Sequence, residues 1–156
     1  MYFRSALLIA TALFCSSAAS AQSPAPSDSA AAPKFGEWTC FPPSDDFLYN
    51  LTFASGPVRV NNFVLAESKA FVTDAPLLGF SASVANRSDK NIAVTVEIAG
   101  LGSSGQPTFA LSGDAGFGFI APNKNEEVKA TIATERGAVK GAAKICVRVA
   151  AYRAAK

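Results

Sequence analysis

Residues 78–98, LGFSASVANRSDKNIAVTVEI, contain two runs of alternating apolar side chains on either side of a polar segment. Every second residue is apolar in both runs: Leu78, Phe80, Ala82 and Val84, then Ile92, Val94, Val96 and Ile98. Successive side chains of a β-strand point to opposite faces, so each run predicts a strand with one buried face. The residues between them, NRSDKN at 86–91, favour a turn, and we expect the two strands to form a hairpin.

Shorter runs rich in β-branched and aromatic residues continue this pattern along the chain. They predict further strands, separated by turn residues, at 47–53, 58–65, 70–73, 108–111, 116–120, 128–132 and 145–149. No stretch has a convincing helical period, apart from a short turn near residues 135–139. Short strands at regular spacing predict an all-β fold, a single antiparallel immunoglobulin-like sandwich over residues 35–152.

The first residues have the organisation of a secretory signal peptide. Arg4 precedes an apolar run too short to span a bilayer, and small residues then lead to Ala21. We therefore expect residues 1–21 to be cleaved and the protein to be exported, and the Ala-rich composition favours the bacterial periplasm. Residues 22–34, QSPAPSDSAAAPK, predict a disordered tether, and residues 153–156 form a basic tail.

Cysteine usage predicts one disulfide. Cys15 would leave with the signal peptide, so Cys40 and Cys146, which are 106 positions apart, remain in an oxidising compartment where paired thiols are usually joined. Because Cys146 alternates with apolar neighbours, we expect it on the outer face of the last strand. Within the stretch GEWTCFPPSDD at 36–46, residues 36–43 would then lie across that face as a latch, with the single tryptophan, Trp38, covering the disulfide.

The side-chain inventory restricts the chemistry. The chain has no histidine, and its one methionine is the initiator. With the two thiols paired, haem attachment, zinc or blue-copper ligation and His-based triads lack their residues, so we expect no cofactor, no metal site and no enzyme activity of this chain alone. The G-x-G-x-x-G match at 100–105 is followed by Gln106-Pro107, which favours a turn rather than the helix of a dinucleotide site. Carboxylate, lysine or tyrosine chemistry stays formally open.

Aromatic residues next to glycine suggest where a partner would bind. In residues 115–120, AGFGFI, Phe117 and Phe119 would share one face of a strand, either as core residues or as a docking strip. Trp38, Phe41 and Arg148 complete the candidate interface.

Charge favours a protein partner over nucleic acid. The chain carries 14 Lys and Arg against 12 Asp and Glu, a balance too even for a dedicated nucleic-acid binder. From Gly116 onward the basic residues exceed the acidic ones, which predicts either electrostatic docking or a merely solvated face.

Two resemblances bear on function. The runs SASVANRSDKNIAVTVEIAG and FIAPNKNEEVKATIAT resemble the immunoglobulin-like or fibronectin-like modules of exported bacterial proteins, which usually bind or space rather than catalyse. The Ala/Ser tether, the stretch AAPKFGEWTCFPPSDD and the two remaining cysteines are similar to the small third subunit of the membrane-bound quinohaemoprotein alcohol dehydrogenase of acetic acid bacteria.

The second resemblance implies a noncatalytic subunit in the periplasm, peripheral to the inner membrane through its complex. Pyrroloquinoline quinone and haem c would belong to the larger dehydrogenase and cytochrome subunits that are its partners. A structural or adhesive surface module is the alternative.

Overall fold

A computed structural model describes residues 33–43 and 48–153. Within these ranges the chain forms eight strands, a 3-10 turn at Leu48–Asn50 and a short helix, α1, at Ala138–Gly141. The strands are β1 (Thr39–Phe41), β2 (Phe53–Ser55), β3 (Val58–Lys69), β4 (Pro76–Asn86), β5 (Ile92–Leu101), β6 (Pro107–Asp114), β7 (Asn125–Ala133) and β8 (Lys144–Arg153). The expected signal peptide, most of the tether and the last three residues of the tail lie outside the described residues.

The strands form two antiparallel sheets of four strands each, which confirms the predicted β-sandwich. Sheet A has the order β1-β8-β5-β6, and sheet B has the order β2-β3-β4-β7. Counted from β3 as the first strand, the second and fifth strands are β4 and β7, which pair in sheet B. The third and sixth strands are β5 and β8, which pair in sheet A, as the corresponding strands do in immunoglobulin-like domains. The place beside the sixth strand, where such domains put their last strand, is taken here by the N-terminal β1.

The predicted hairpin between residues 78–84 and 92–98 is wrong. β4 pairs with β3 and β7, whereas β5 pairs with β6 and β8, so the two strands belong to different sheets. Both runs are strands with one buried face, as their alternation predicts. They meet through that face, across the interior of the sandwich, rather than along a shared edge. Residues 87–91 therefore cross from one sheet to the other.

Asn86 fixes this crossover, and it is the one buried polar residue among those described. Its side-chain nitrogen donates to the carbonyl oxygens of Lys90 at 2.8 Å, Ile120 at 2.9 Å and Ala121 at 3.1 Å. Its side-chain oxygen accepts from the backbone N–H of Ser88 at 2.9 Å. Backbone bonds between Ile92 and Ile120, at 3.1 and 2.7 Å, join the same two segments. The connection β4–β5 is thereby tied to the connection β6–β7.

The core lies between the sheets and consists of the inward residues of both. Its largest fully buried side chains are Phe53, Phe63, Leu78, Ile98, Ile120, Val60, Val84, Val94, Val96, Val128, Val147 and Val149. Full burial of one such side chain contributes about 1.5–3 kcal/mol before the entropy of ordering is subtracted. The inward assignment of Ile145, Val147 and Val149 on the last strand is confirmed.

The two sheets approach each other closely where β6 faces β7. A Cβ added to Gly113 would lie 2.8 Å from the carbonyl oxygen of Lys129 and 3.0 Å from the ring of Phe80. Gly113 therefore allows the backbones of the two edge strands to come near, which closes this side of the sandwich.

Three expected strands differ from the structure. Residues 48–50 form a 3-10 turn, so that β2 begins only at Phe53. Residues 70–73 lie in the turn between β3 and β4, and residues 116–119 lie in the connection between β6 and β7. Apolar content suggested strands at residues 70–73 and 116–119, but neither of these two segments has a neighbouring strand with which to pair.

Candidate docking surfaces

The disulfide joins two strands that lie side by side in sheet A. Cys40 is directly opposite Cys146 in the antiparallel pairing of β1 with β8, and their sulfur atoms are bonded. The backbone N–H of Gly36 extends this pairing by donating to the carbonyl of Val149 at 2.8 Å. The latch stretch thus adds an edge strand to the sheet, and the expectation that it crosses the outer face of β8 is wrong. Cys146 is buried, whereas Cys40 is exposed.

Trp38 and Arg148 lie on the outer face of sheet A, each two residues along the chain from a cysteine of the disulfide. The guanidinium carbon of Arg148 lies 4.9 Å from the centre of the Trp38 ring, within the range of a cation–π contact. Arg148 Nε also donates to Glu97 on the neighbouring β5. The hydrogen bond to Glu97 raises the pKa of Arg148 above its ordinary value, and the charge of Glu97 adds to this effect. Trp38 is 46% exposed, so its ring remains available to a partner.

Toward β6, this outer face carries small or short side chains. The row that starts at the disulfide continues to Ala99 and Ala110, and the row from Arg148 and Glu97 continues to Ser112. Small side chains let another surface approach this part of the sheet closely, beside the stacked Trp38–Arg148 pair. Tyr152, which is 60% exposed, lies farther along the same face of β8.

Phe117 and Phe119 lie in the loop that connects β6 with β7. Gly118 has a φ of +75°, and its N–H donates to Ala115 at 2.8 Å, which defines a turn rather than a strand. Phe117 is 85% exposed and Phe119 is 39% exposed, whereas Ala115 and Ile120 on either side are buried. The expected strand is wrong, but the loop presents both rings to solvent.

Phe41 is placed differently from the other candidate interface residues. It is partly buried and packs against the core cluster at the end of β1. Of the five candidates, the structure brings Trp38 and Arg148 into contact, whereas Phe117 and Phe119 form a separate loop cluster.

Phe71 and Val72, in the turn between β3 and β4, were not among the predicted interface residues. Their side chains are 103% and 89% exposed, the highest values among the large apolar residues described. Their aromatic and β-branched character predicted a strand, and the polar residues Thr73 and Asp74 that follow were the available signal for a turn.

A polar groove with a volume of about 740 Å³ lies on the outer face of sheet B. Arg59 and Asn61 on β3 face Glu127 on β7 across small residues of β4, and Arg87 adds a second cation at one end. A β-bulge between Asn61 and Val64 places Asn62 in the left-handed region, with a φ of +53°.

Glu67 holds the segment that leads into α1. Its two carboxylate oxygens accept from the N–H groups of Gly137 at 2.9 Å and Val139 at 3.0 Å. These bonds, that to Val139 first, lower the pKa of Glu67, and the charge of Lys140 acts in the same direction.

In the described part of the chain, no three His, Cys, Asp or Glu side chains cluster as metal ligands would. No described helix has the length and apolar character to cross a bilayer. Comparison of the chain with protein-family models, with curated proteins and with solved structures gives no match. The likeness to the dehydrogenase subunit therefore remains a prediction.

Proposed function

We propose that this protein is an exported, noncatalytic accessory subunit that stabilises or orients a larger membrane-associated oxidoreductase in the periplasm. The observation that carries the proposal is the set of exposed aromatic rings on a covalently closed sandwich. Trp38 stacks on Arg148 beside the disulfide, and Phe117 is 85% exposed in its loop. Rigidly held aromatic and arginine side chains are the residues that most often dominate binding at protein interfaces.

The partner best matched by the sequence profile is a quinohaemoprotein alcohol dehydrogenase complex that oxidises ethanol. In that complex the dehydrogenase and cytochrome subunits would carry pyrroloquinoline quinone and haem c. This chain would contribute a docking surface to them, and its membrane association would be peripheral.

Affinity capture from gently solubilised native membranes tests the proposal. We expect the tagged chain to retain a partner with the absorbance of haem c and the fluorescence of pyrroloquinoline quinone in a fixed ratio. The variants Trp38→Ala and Phe117→Ser should lower that recovery several-fold, whereas Tyr49→Ser, which changes another exposed ring elsewhere, should not. Recovery of the wild-type chain as a free monomer would remove the proposal.

A structural or adhesive surface module is the second candidate, and the polar groove on sheet B favours it. The groove combines the cations of Arg59 and Arg87 with carboxylates and amides, groups that can form charge-assisted hydrogen bonds with a polar surface ligand. Fractionation separates the two candidates, since the surface module predicts outer-surface or polymeric material and the accessory subunit predicts inner-membrane fractions.

A further inference from the structure

We propose that the turn between β3 and β4, centred on Phe71 and Val72, inserts into the headgroup region of a lipid bilayer. This inference deepens the proposed function, because it assumes a location at a membrane. It replaces attachment through partners alone by a direct contact of this chain with lipid.

The turn is a preformed feature rather than a loose segment. The N–H of Ala70 donates to Ala75 at 2.9 Å, and that of Asp74 donates back to Ala70 at 3.1 Å. Asp74 adopts a φ of +53°, which reverses the chain tightly. These bonds close the turn, and Phe71 and Val72 remain at its apex with highly exposed side chains.

The exposed area fits a bilayer better than a protein pocket. Complete burial of a phenylalanine removes about 150–250 Å² from water. A stable protein interface takes about 800 Å² from each partner, which a two-residue apex does not approach. A bilayer requires no matching surface, and an apolar group needs to enter only about 5–10 Å to leave water.

Charged residues of both signs lie near the base of the turn. Lys69 is two residues from Phe71, and Arg136 and Lys140 flank the segment that binds Glu67. Glu67 precedes Phe71 by four residues, which is at most about 13 Å along an extended strand. The carboxylates of Glu67, Asp74 and Glu135 balance these three cations, so this end carries no net charge. Binding would therefore come from the apolar apex rather than from attraction to anionic headgroups.

The strand register places the aromatic loop at the other end of the sandwich. β4 starts beside the turn, and its last paired residue, Ala85, lies opposite Asn125, just after the loop that holds Phe117. About ten strand residues separate these ends by about 33 Å. A molecule held to lipid through Phe71 would therefore present Phe117 away from the membrane, where a larger subunit could bind it.

Flotation of the purified protein with phospholipid vesicles tests the inference. We expect it to float with vesicles of phosphatidylethanolamine and phosphatidylglycerol, and high salt should change this binding little because the apolar apex carries it. The double variant Phe71→Ser/Val72→Ser should bind more than about tenfold more weakly, because it removes the apolar insertion. Phe117→Ser, which changes another highly exposed ring at the opposite end, should bind as the wild type does.

A fluorescence measurement locates the contact. Phe71→Trp in a Trp38→Phe background places the single tryptophan at the apex of the turn. Its emission should shift to the blue with vesicles and be quenched by lipids brominated in their acyl chains. The inference falls if the wild type does not float, if the serine variant floats equally well, or if the emission of the Phe71→Trp variant is unchanged. Because these assays contain no partner, and the capture experiment contains no bilayer, their failures are distinguishable.

Discussion

The side-chain nitrogen of Asn86 lies 2.9 Å from the carbonyl oxygen of Ile120, and this bond joins two chain crossings at one end of the sandwich. The same amide donates to the carbonyl oxygens of Lys90 and Ala121, so one side chain bonds three carbonyl oxygens. Each of these oxygens also accepts a second bond, from Ser88 Oγ, Ile92 N–H or Lys124 N–H, so the amide reinforces contacts that the two crossings already make.

We expect Asn86→Ala to lower the free energy of unfolding by about 2–4 kcal/mol, because the three bonds that the side chain donates and the one that it accepts from Ser88 N–H are lost together, at about 1 kcal/mol each. Urea unfolding followed by circular dichroism measures the difference. Asn125→Ala, at an exposed position on β7, should change stability by no more than about 0.5 kcal/mol. Equal stability of the two variants would contradict the role given to Asn86.

The disulfide should contribute a large share of stability because it closes a loop across a sequence separation of 106 residues. Replacing both cysteines, Cys40→Ala/Cys146→Ala, should cost about 2–5 kcal/mol in the same unfolding assay. Reducing agent should destabilise the wild type by a similar amount and leave the double variant unchanged. A wild type that is insensitive to reduction would show that β1 is held by its other contacts.

Glu67 predicts a dependence of stability on pH. Its folded-state pKa is lowered by the N–H groups of Val139 and Gly137, so the carboxylate stabilises the fold above the ordinary carboxyl pKa. That contribution is lost as the pH falls through the lowered value. Glu67→Gln should therefore be less stable than the wild type at neutral pH, by less than about 1 kcal/mol because the site is exposed. The difference should disappear in acid, and a difference independent of pH would contradict this account.

Substitutions at Gly113 and Gly116 test the close approach of β6 and β7, with Gly116 as the control position. Gly113→Ala should destabilise the protein by about 1–3 kcal/mol, since the added methyl group meets the backbone of Lys129. Gly116→Ala has open space around its new Cβ and should stay within about 0.5 kcal/mol of the wild type. Thermal unfolding of both variants is the measurement, and equal melting temperatures would refute the packing argument.

Trp38 is the chain's only tryptophan and so reports on its contact with Arg148. Arg148→Ala should increase the quenching of Trp38 fluorescence by acrylamide, because the stacked guanidinium no longer covers one side of the ring. Lys129→Ala, on the other sheet, should leave quenching unchanged. Unaltered quenching in Arg148→Ala would show that the stacked arrangement is not maintained in solution.

Alternating side chains predicted the strands and their faces, but they could not predict which strands pair. Leu78 and Val96 follow the same rule and lie in opposite sheets, because the alternation records burial and not the identity of the neighbour. Phe71 and Phe117 have high strand propensity, yet both occupy turns, since propensity measures how a residue fits a sheet that must first be present.

The disulfide was predictable because the expected loss of Cys15 with a signal peptide leaves two cysteines to pair, and the pairing is confirmed. The position of the segment that carries Cys40 was not predictable. Cys40 comes equally near to Cys146 whether this segment pairs beside β8 or crosses the face of β8. The contact of Trp38 with Arg148 depends on the register between β1 and β8, which the sequence does not contain.

The position of β1 beside β8 also determines the order in which the strands of sheet A can come together. A ribosome makes β1 before the other strands and β8 after them, so the first strand has no place to settle until the last has emerged. Throughout that interval Cys40 is an unpaired thiol and the future border of sheet A is open, a state in which chains can associate wrongly. Closure of sheet A and formation of the disulfide therefore both wait for the last strand, which makes them a late, long-range step of folding.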